Sequence, residues 1–175
     1  MSRRWPSLLL AACCWTLGLA WRAAEQPVGA ASVAGYVRAA ACGPEGWCCA
    51  ACWGPRGIYL GAAREDRQRS LDACGPAALA AVLRDRQLGV TQELLWSMCR
   101  LPGGGTTLGR LAWAAQRFGV ACHVCCTPDL AVLPSPVLVH LRRGHFVVLQ
   151  RCDARHAWLL DPACGIVRVP RPVLA

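Results

Sequence analysis

Leu71-Asp72-Ala73-Cys74-Gly75-Pro76-Ala77-Ala78-Leu79 is the stretch on which the reading of the chain turns. Pro76 suits the first turn of a helix, where its missing N–H costs nothing, and Leu79, Val82 and Leu83 continue at helical spacing. Cys74 therefore stands at a helix start. There the helix dipole favours a thiolate, and the Cys74 backbone N–H can help to hold an oxyanion. Gly75 lets the backbone come close to a bound molecule. Among the thirteen cysteines, Cys74 alone has this setting; Cys99 ends a predicted helix, where the dipole opposes the thiolate.

On the C-terminal side, Thr91 can cap a second helix carrying Leu94, Leu95 and Met98. After Gly103-Gly104-Gly105, a third helix places Leu108, Leu111, Ala112, Ala115 and Phe118 on one stripe and ends at Gly119. The period then changes. Val120 to Cys126, Val137 to Leu141, Phe146 to Gln150, Ala157 to Leu160 and Ile166 to Val169 are short apolar runs between Pro, Gly or charges, and these predict strands. Helices followed by an antiparallel sheet make an α+β fold.

On the N-terminal side the pattern is poorer. Ser2-Arg3-Arg4 and the uncharged run from Leu8 to Ala20 read as a signal peptide or membrane anchor over residues 1–24, the run being short for a span of about 20 residues. Residues 25–66 read as a Cys/Gly/Pro-rich linker and 67–175 as the folded domain. The expectation is an exported, periplasmic or membrane-associated protein. The net charge of +9 comes entirely from scattered arginines, with Arg142-Arg143 the nearest thing to a cluster, and this excludes nucleic acid as the expected partner. The two C-x-x-C pairs, Cys49–Cys52 and Cys122–Cys125, match no compact zinc site, so neither metal nor cofactor is expected. If the protein is exported, Cys74 is expected to stay unpaired while linker cysteines such as Cys42, Cys48, Cys49 and Cys52 cross-link.

A helix-start thiol needs a base, and the base needs an orienting group. Of His123, His140, His145 and His156, His145 is placed best, following Gly144 at the start of a strand; His140 reads as a structural histidine and His156 as a solvated one. Asp161, before Pro162 at the end of the next predicted strand, can reach across to it, since neighbouring strands lie about 4.8 Å apart.

The blocks Gln68 with Asp72-Ala73-Cys74-Gly75-Pro76-Ala77-Ala78-Leu79, Gly105-Thr106-Thr107-Leu108 with Ala114-Ala115, Gly144-His145-Phe146-Val147-Val148-Leu149, and Asp161-Pro162 follow one another in a familiar order. Gln68 to Val169, more than half of the chain, resembles the bacteriocin-processing, or double-glycine, cysteine peptidases, a branch of the papain-like fold. The resemblance implies Cys74 as nucleophile, His145 as general base, Asp161 as its orienting acid and Gln68 as side-chain donor of the oxyanion hole. It sets Gly75, Gly144 and Thr107 against the substrate. It further implies a peptide or protein substrate cut after a Gly-Gly leader, and association with membrane or export machinery. Ala73 departs from the family, many members of which carry aspartate immediately before the cysteine. The family is often fused to a transporter with an ATPase, but Gly103-Gly104-Gly105-Thr106-Thr107 lacks the lysine of a phosphate-binding loop, so a stand-alone protease is expected. Three other readings stay open: a catalytically silent module that binds leader peptides, a thiol amidase or acyltransferase on the same fold, and a redox or metal protein built on the C-x-x-C pairs.

Overall fold

The computed structural model describes residues 8–12, 53, 57–61, 64–127, 129–141 and 144–174. Most of the leader and linker, including Cys42, Cys48, Cys49 and Cys52, and the Arg142-Arg143 pair lie outside these residues.

Among the described residues, three helices follow one another in the domain: α1 (Cys74–Asp85), α2 (Gln92–Cys99) and α3 (Leu108–Arg117). The threonines ahead of α2 and α3 cap them. Thr91 Oγ1 accepts from the Leu94 N–H at 3.3 Å and Thr107 Oγ1 from the Arg110 N–H at 3.2 Å. After α3, Gly119 adopts φ 78°, the left-handed conformation that ends helices and that glycine tolerates. The predicted stripe is inside: Leu108, Leu111, Ala112 and Ala115 are buried, while Phe118 is the C-cap residue, half-buried against the same core.

Among the described residues, seven strands form one sheet: β1 (Leu8–Ala12), β2 (Ile58–Gly61), β3 (Cys122–Cys126), β4 (Val137–Leu141), β5 (His145–Cys152), β6 (His156–Asp161) and β7 (Gly165–Pro170). Their order is β2-β7-β6-β5-β4-β1-β3. The five strands from β2 to β4 pair antiparallel, as expected from the short connections between β4 and β7. The far edge differs, because β1, formed by the first residues of the apolar N-terminal run, pairs parallel with both β3 and β4.

Both sheet faces are covered, which explains why β5 reads as a continuous apolar run rather than an alternation. Leu138, Phe146, Val148 and Leu160 meet the helices, α1 above all. Val137, Val139, Val147, Leu149, Leu159 and Val167 pack on the opposite side with Trp53, Leu130 and Leu174. No helix among the described residues is long and apolar enough to cross a membrane.

Candidate active site

The site lies where the start of α1 meets the sheet. Ala73 occupies the N-cap place and offers no side-chain acceptor to the helix. The N–H groups at the start of α1 thus face forward as donors, with the positive end of the dipole behind them. Cys74 is the first helical residue, a free thiol, 2 % exposed.

Gly75 is what allows this placement. A Cβ there would stand 2.4 Å from Thr106 Cγ2, 3.1 Å from Leu111 Cδ1 and 3.2 Å from Phe146 Cδ2. Thr106 cannot easily yield, since it is buried and its Oγ1 donates to the Cys99 carbonyl at 3.0 Å. Gly75 and Phe146 are the chain neighbours of Cys74 and His145, so their contact sets the thiol against the histidine. Gly75→Ala is therefore expected to destabilise. Overpacking costs about 1–3 kcal/mol, more than the gain of under about 1 kcal/mol from alanine's helix propensity. A urea melt at constant slope measures the drop; a midpoint equal to or above wild type would refute the packing argument.

His145 is the first residue of β5, a central strand, so it lies at a strand end within the sheet. Asp161 is the last residue of neighbouring β6 and is completely buried. His145 Nε2 stands 2.7 Å from Asp161 Oδ1. The ring also hydrogen-bonds the Cys74 side chain; with Nε2 committed to the carboxylate, Nδ1 is the nitrogen left for the thiol. Burial alone would push the His145 pKa down, but the charge and hydrogen bond of Asp161, together with Cys74, outweigh it and raise the value. Burial would likewise raise the Asp161 pKa, yet the imidazolium, the Ala163 N–H and Trp53 hold it below the usual carboxylate range. The geometry thus suits an aspartate–imidazolium pair presented to a helix-start thiol.

The other titratable groups fall into place around this array. His140 stacks on Phe146 with ring centroids 4.3 Å apart, and burial followed by repulsion from His145 lowers its pKa to about 4, so it stays neutral. Burial pushes the thiols of Cys99 and Cys122 up, to about 12 and about 11, against partial relief from arginines. Cys122 and Cys125 lie on one strand three residues apart, which sends them to opposite faces; each packs into a different core. They do not converge on a shared site.

Gln68 sits in a clamped segment ahead of Cys74. Its N–H donates to the Pro162 carbonyl at 2.9 Å, and Gln92 bridges the residues on either side, accepting from the Arg69 N–H and donating to the Arg67 carbonyl. The Gln68 amide Nε2 donates to the carbonyls of Ser70 and Leu71, at 3.0 and 3.4 Å, while its Oε1 is buried without a protein partner. Gly144, at φ 75°, makes the β4–β5 turn by donating to the Leu141 carbonyl, and the Thr107 hydroxyl caps α3. Sequence reasoning missed Trp53, whose Nε1–H donates to Asp161 Oδ2 at 2.8 Å. It lies in the unpatterned stretch read as a linker, where nothing local marks it.

The chain is 26 % identical to a protein of known structure, a double glycine motif protease from an AMS/PCAT transporter in complex with the leader peptide. The match has a TM-score of 0.54 and covers 61 % of this chain and 79 % of that one. An uncharacterized protein of Methanothermobacter marburgensis is 32 % identical over 112 residues, 62 % of this chain and 78 % of its own length. Another, from Methanothermobacter thermautotrophicus, is 32 % identical over 106 residues, 59 % and 74 % of the two chains. Residues 65–174 match the sequence profile of the Peptidase C39 family, and the span takes in Gln68, Cys74, His145 and Asp161 together; the chain belongs to that family.

Proposed function

We propose that this protein is an active cysteine peptidase that cleaves a peptide or protein substrate after a Gly-Gly leader motif. The observation that carries the reading is the buried line Cys74–His145–Asp161, built at a helix start and the ends of two adjacent strands.

In this mechanism the Cys74 thiolate attacks the scissile carbonyl carbon, and the carbonyl oxygen becomes an oxyanion held by the Cys74 backbone N–H. Gln68 supplies the second donor once its amide turns away from the Ser70 and Leu71 carbonyls. Collapse of the tetrahedral intermediate breaks the C–N bond while His145 gives its proton to the departing amine. A water, deprotonated by the now neutral His145, then cleaves the thioester and restores the thiolate–imidazolium pair. Asp161 keeps the ring in one orientation throughout. A cavity of about 440 Å³ beside Ala73, lined by Arg69, Ser70, Gln92, Glu93, Trp96 and Ser97, gives the segment of peptide leading to the cut a place to lie. The likeness to the double glycine motif protease supports the double glycine, and small residues fit a cut beside a thiol as enclosed as Cys74.

The deciding experiment is labelling with a peptide electrophile ending in Gly-Gly. One equivalent is expected on Cys74, with no reaction at Cys99 or Cys122 at neutral pH. Labelling of other thiols while Cys74 stays unmodified would sink the reading.

A further inference from the structure

Asp161 is a fully buried carboxylate, and such a group is tolerated only when its lone pairs are filled. Three donors fill them. His145 Nε2 and the Ala163 N–H, at 2.7 and 2.8 Å, both meet Oδ1; the Trp53 indole N–H meets Oδ2 at 2.8 Å. The first comes from the neighbouring strand β5 and the second from the turn that follows β6. The third comes from a residue far along the chain (and outside the span that matches the family), packed into the core on the sheet face away from the helices.

The carboxylate can present Oδ1 to the histidine only in one rotation of its plane, and that rotation is fixed by whatever holds Oδ2. An indole nitrogen suits the task, because it donates and never accepts, so it cannot exchange roles with the acid. We infer that Trp53 is a positioning residue of the catalytic centre, locking Asp161 through Oδ2 so that Oδ1 stays aimed at His145. The inference rests on the peptidase reading for its kinetic consequences, though not for its chemical ones. It also gives the stretch preceding the family domain a part in the site: that stretch completes the acid–histidine pair instead of merely tethering the domain.

The test uses the full chain with two replacements of Trp53. Trp53→Phe removes the donor and part of the ring. A second protein carries benzothienylalanine at the position, which keeps the bicyclic shape and puts sulfur where the N–H was, so that packing is retained if the phenylalanine variant folds poorly. Two rates are read, turnover of a Gly-Gly peptide and alkylation of Cys74 by iodoacetamide. The expected result for the isostere is a fall of ~10- to 100-fold in kcat, the scale of losing a group that orients a catalytic one, with KM within about twofold and slower alkylation of Cys74. An isostere with wild-type kcat and alkylation rate, or one whose KM alone rises, overturns the inference and leaves the peptidase reading intact. If the wild-type protein is alkylated at Cys74 but cuts no peptide, the peptidase reading fails. Trp53 is then judged by alkylation alone, where an unchanged rate in the isostere still refutes it.

Discussion

Cys74→Ala is expected to abolish peptide cleavage, by ~10⁴-fold or more, because nucleophile and base act as one unit and removal of either removes the covalent route. Binding of a Gly-Gly leader peptide should survive within a few-fold, since the thiol adds little to ground-state contact. Stability should fall by no more than about 1 kcal/mol, the site losing one sulfur from a buried but small side chain. The pattern separates the proposed function from its rivals. Wild-type protein that binds the peptide as well as the variant and cuts no better would be a silent module. Wild-type protein that consumes a small amide or thioester but leaves peptides intact would be an amidase or acyltransferase. Peptide cleavage retained in Cys74→Ala would assign the chemistry to another residue and end the case for Cys74. Cys99 and Cys122 are poor substitutes, because burial pushes their thiols up to about 12 and about 11.

What the sequence disclosed and what it hid divide along the range of the interactions. The helices were legible because their signals are local: Pro76 in a first turn, Thr91 before an apolar stripe, Gly119 after one. The strands β4 to β7 were legible because each apolar run is bounded by a turn residue or a charge. The meeting of His145 and Asp161 could be read because two adjacent strands bring a residue at one start and a residue at the next end within reach. Other features depend on contacts between distant parts of the chain. The role of Gly75 follows from Thr106, Leu111 and Phe146 closing over it, where the sequence suggested an approach to substrate. The Trp53–Asp161 bond joins residues 108 positions apart and has no periodic signature. The pairing of Leu8–Ala12 between β3 and β4 was equally hidden, since an apolar run near the start reads the same as a leader or as a strand.

Asp161→Asn carries the second large effect, and it follows from counting donors. An asparagine has one acceptor oxygen where aspartate has two. With the oxygen at the Oδ1 place it can still accept from His145 and Ala163, but its NH₂ then confronts the Trp53 N–H. Turned over, it satisfies Trp53 but points NH₂ at His145 Nε2, which forces the proton to Nδ1, the nitrogen that must accept from Cys74. The first state sets two donors against each other and loosens the side chain, and the second puts the histidine proton on the wrong nitrogen, so kcat is expected to fall by ~10³- to 10⁴-fold. The pH dependence should move in a defined direction. Burial lowers the His145 pKa and Asp161 more than reverses that, so without the charge the imidazolium loses its proton at lower pH and the alkaline limb of the residual activity shifts acidward. The stability difference has its own window. A raised histidine pKa stabilises fully below the unfolded value of about 6.5 and fades as pH rises through the folded one, while a lowered aspartate pKa stabilises above about 3.9 and fades as pH falls. Wild type and variant should therefore differ most between about pH 4 and 6.5, by on the order of 3 kcal/mol, the scale of breaking a buried ion pair. Urea unfolding at pH 5.5 and pH 9 measures it. A difference that grows toward alkaline pH, or an alkaline limb that stays in place, would mean that the Asp161 charge does not hold the proton on His145.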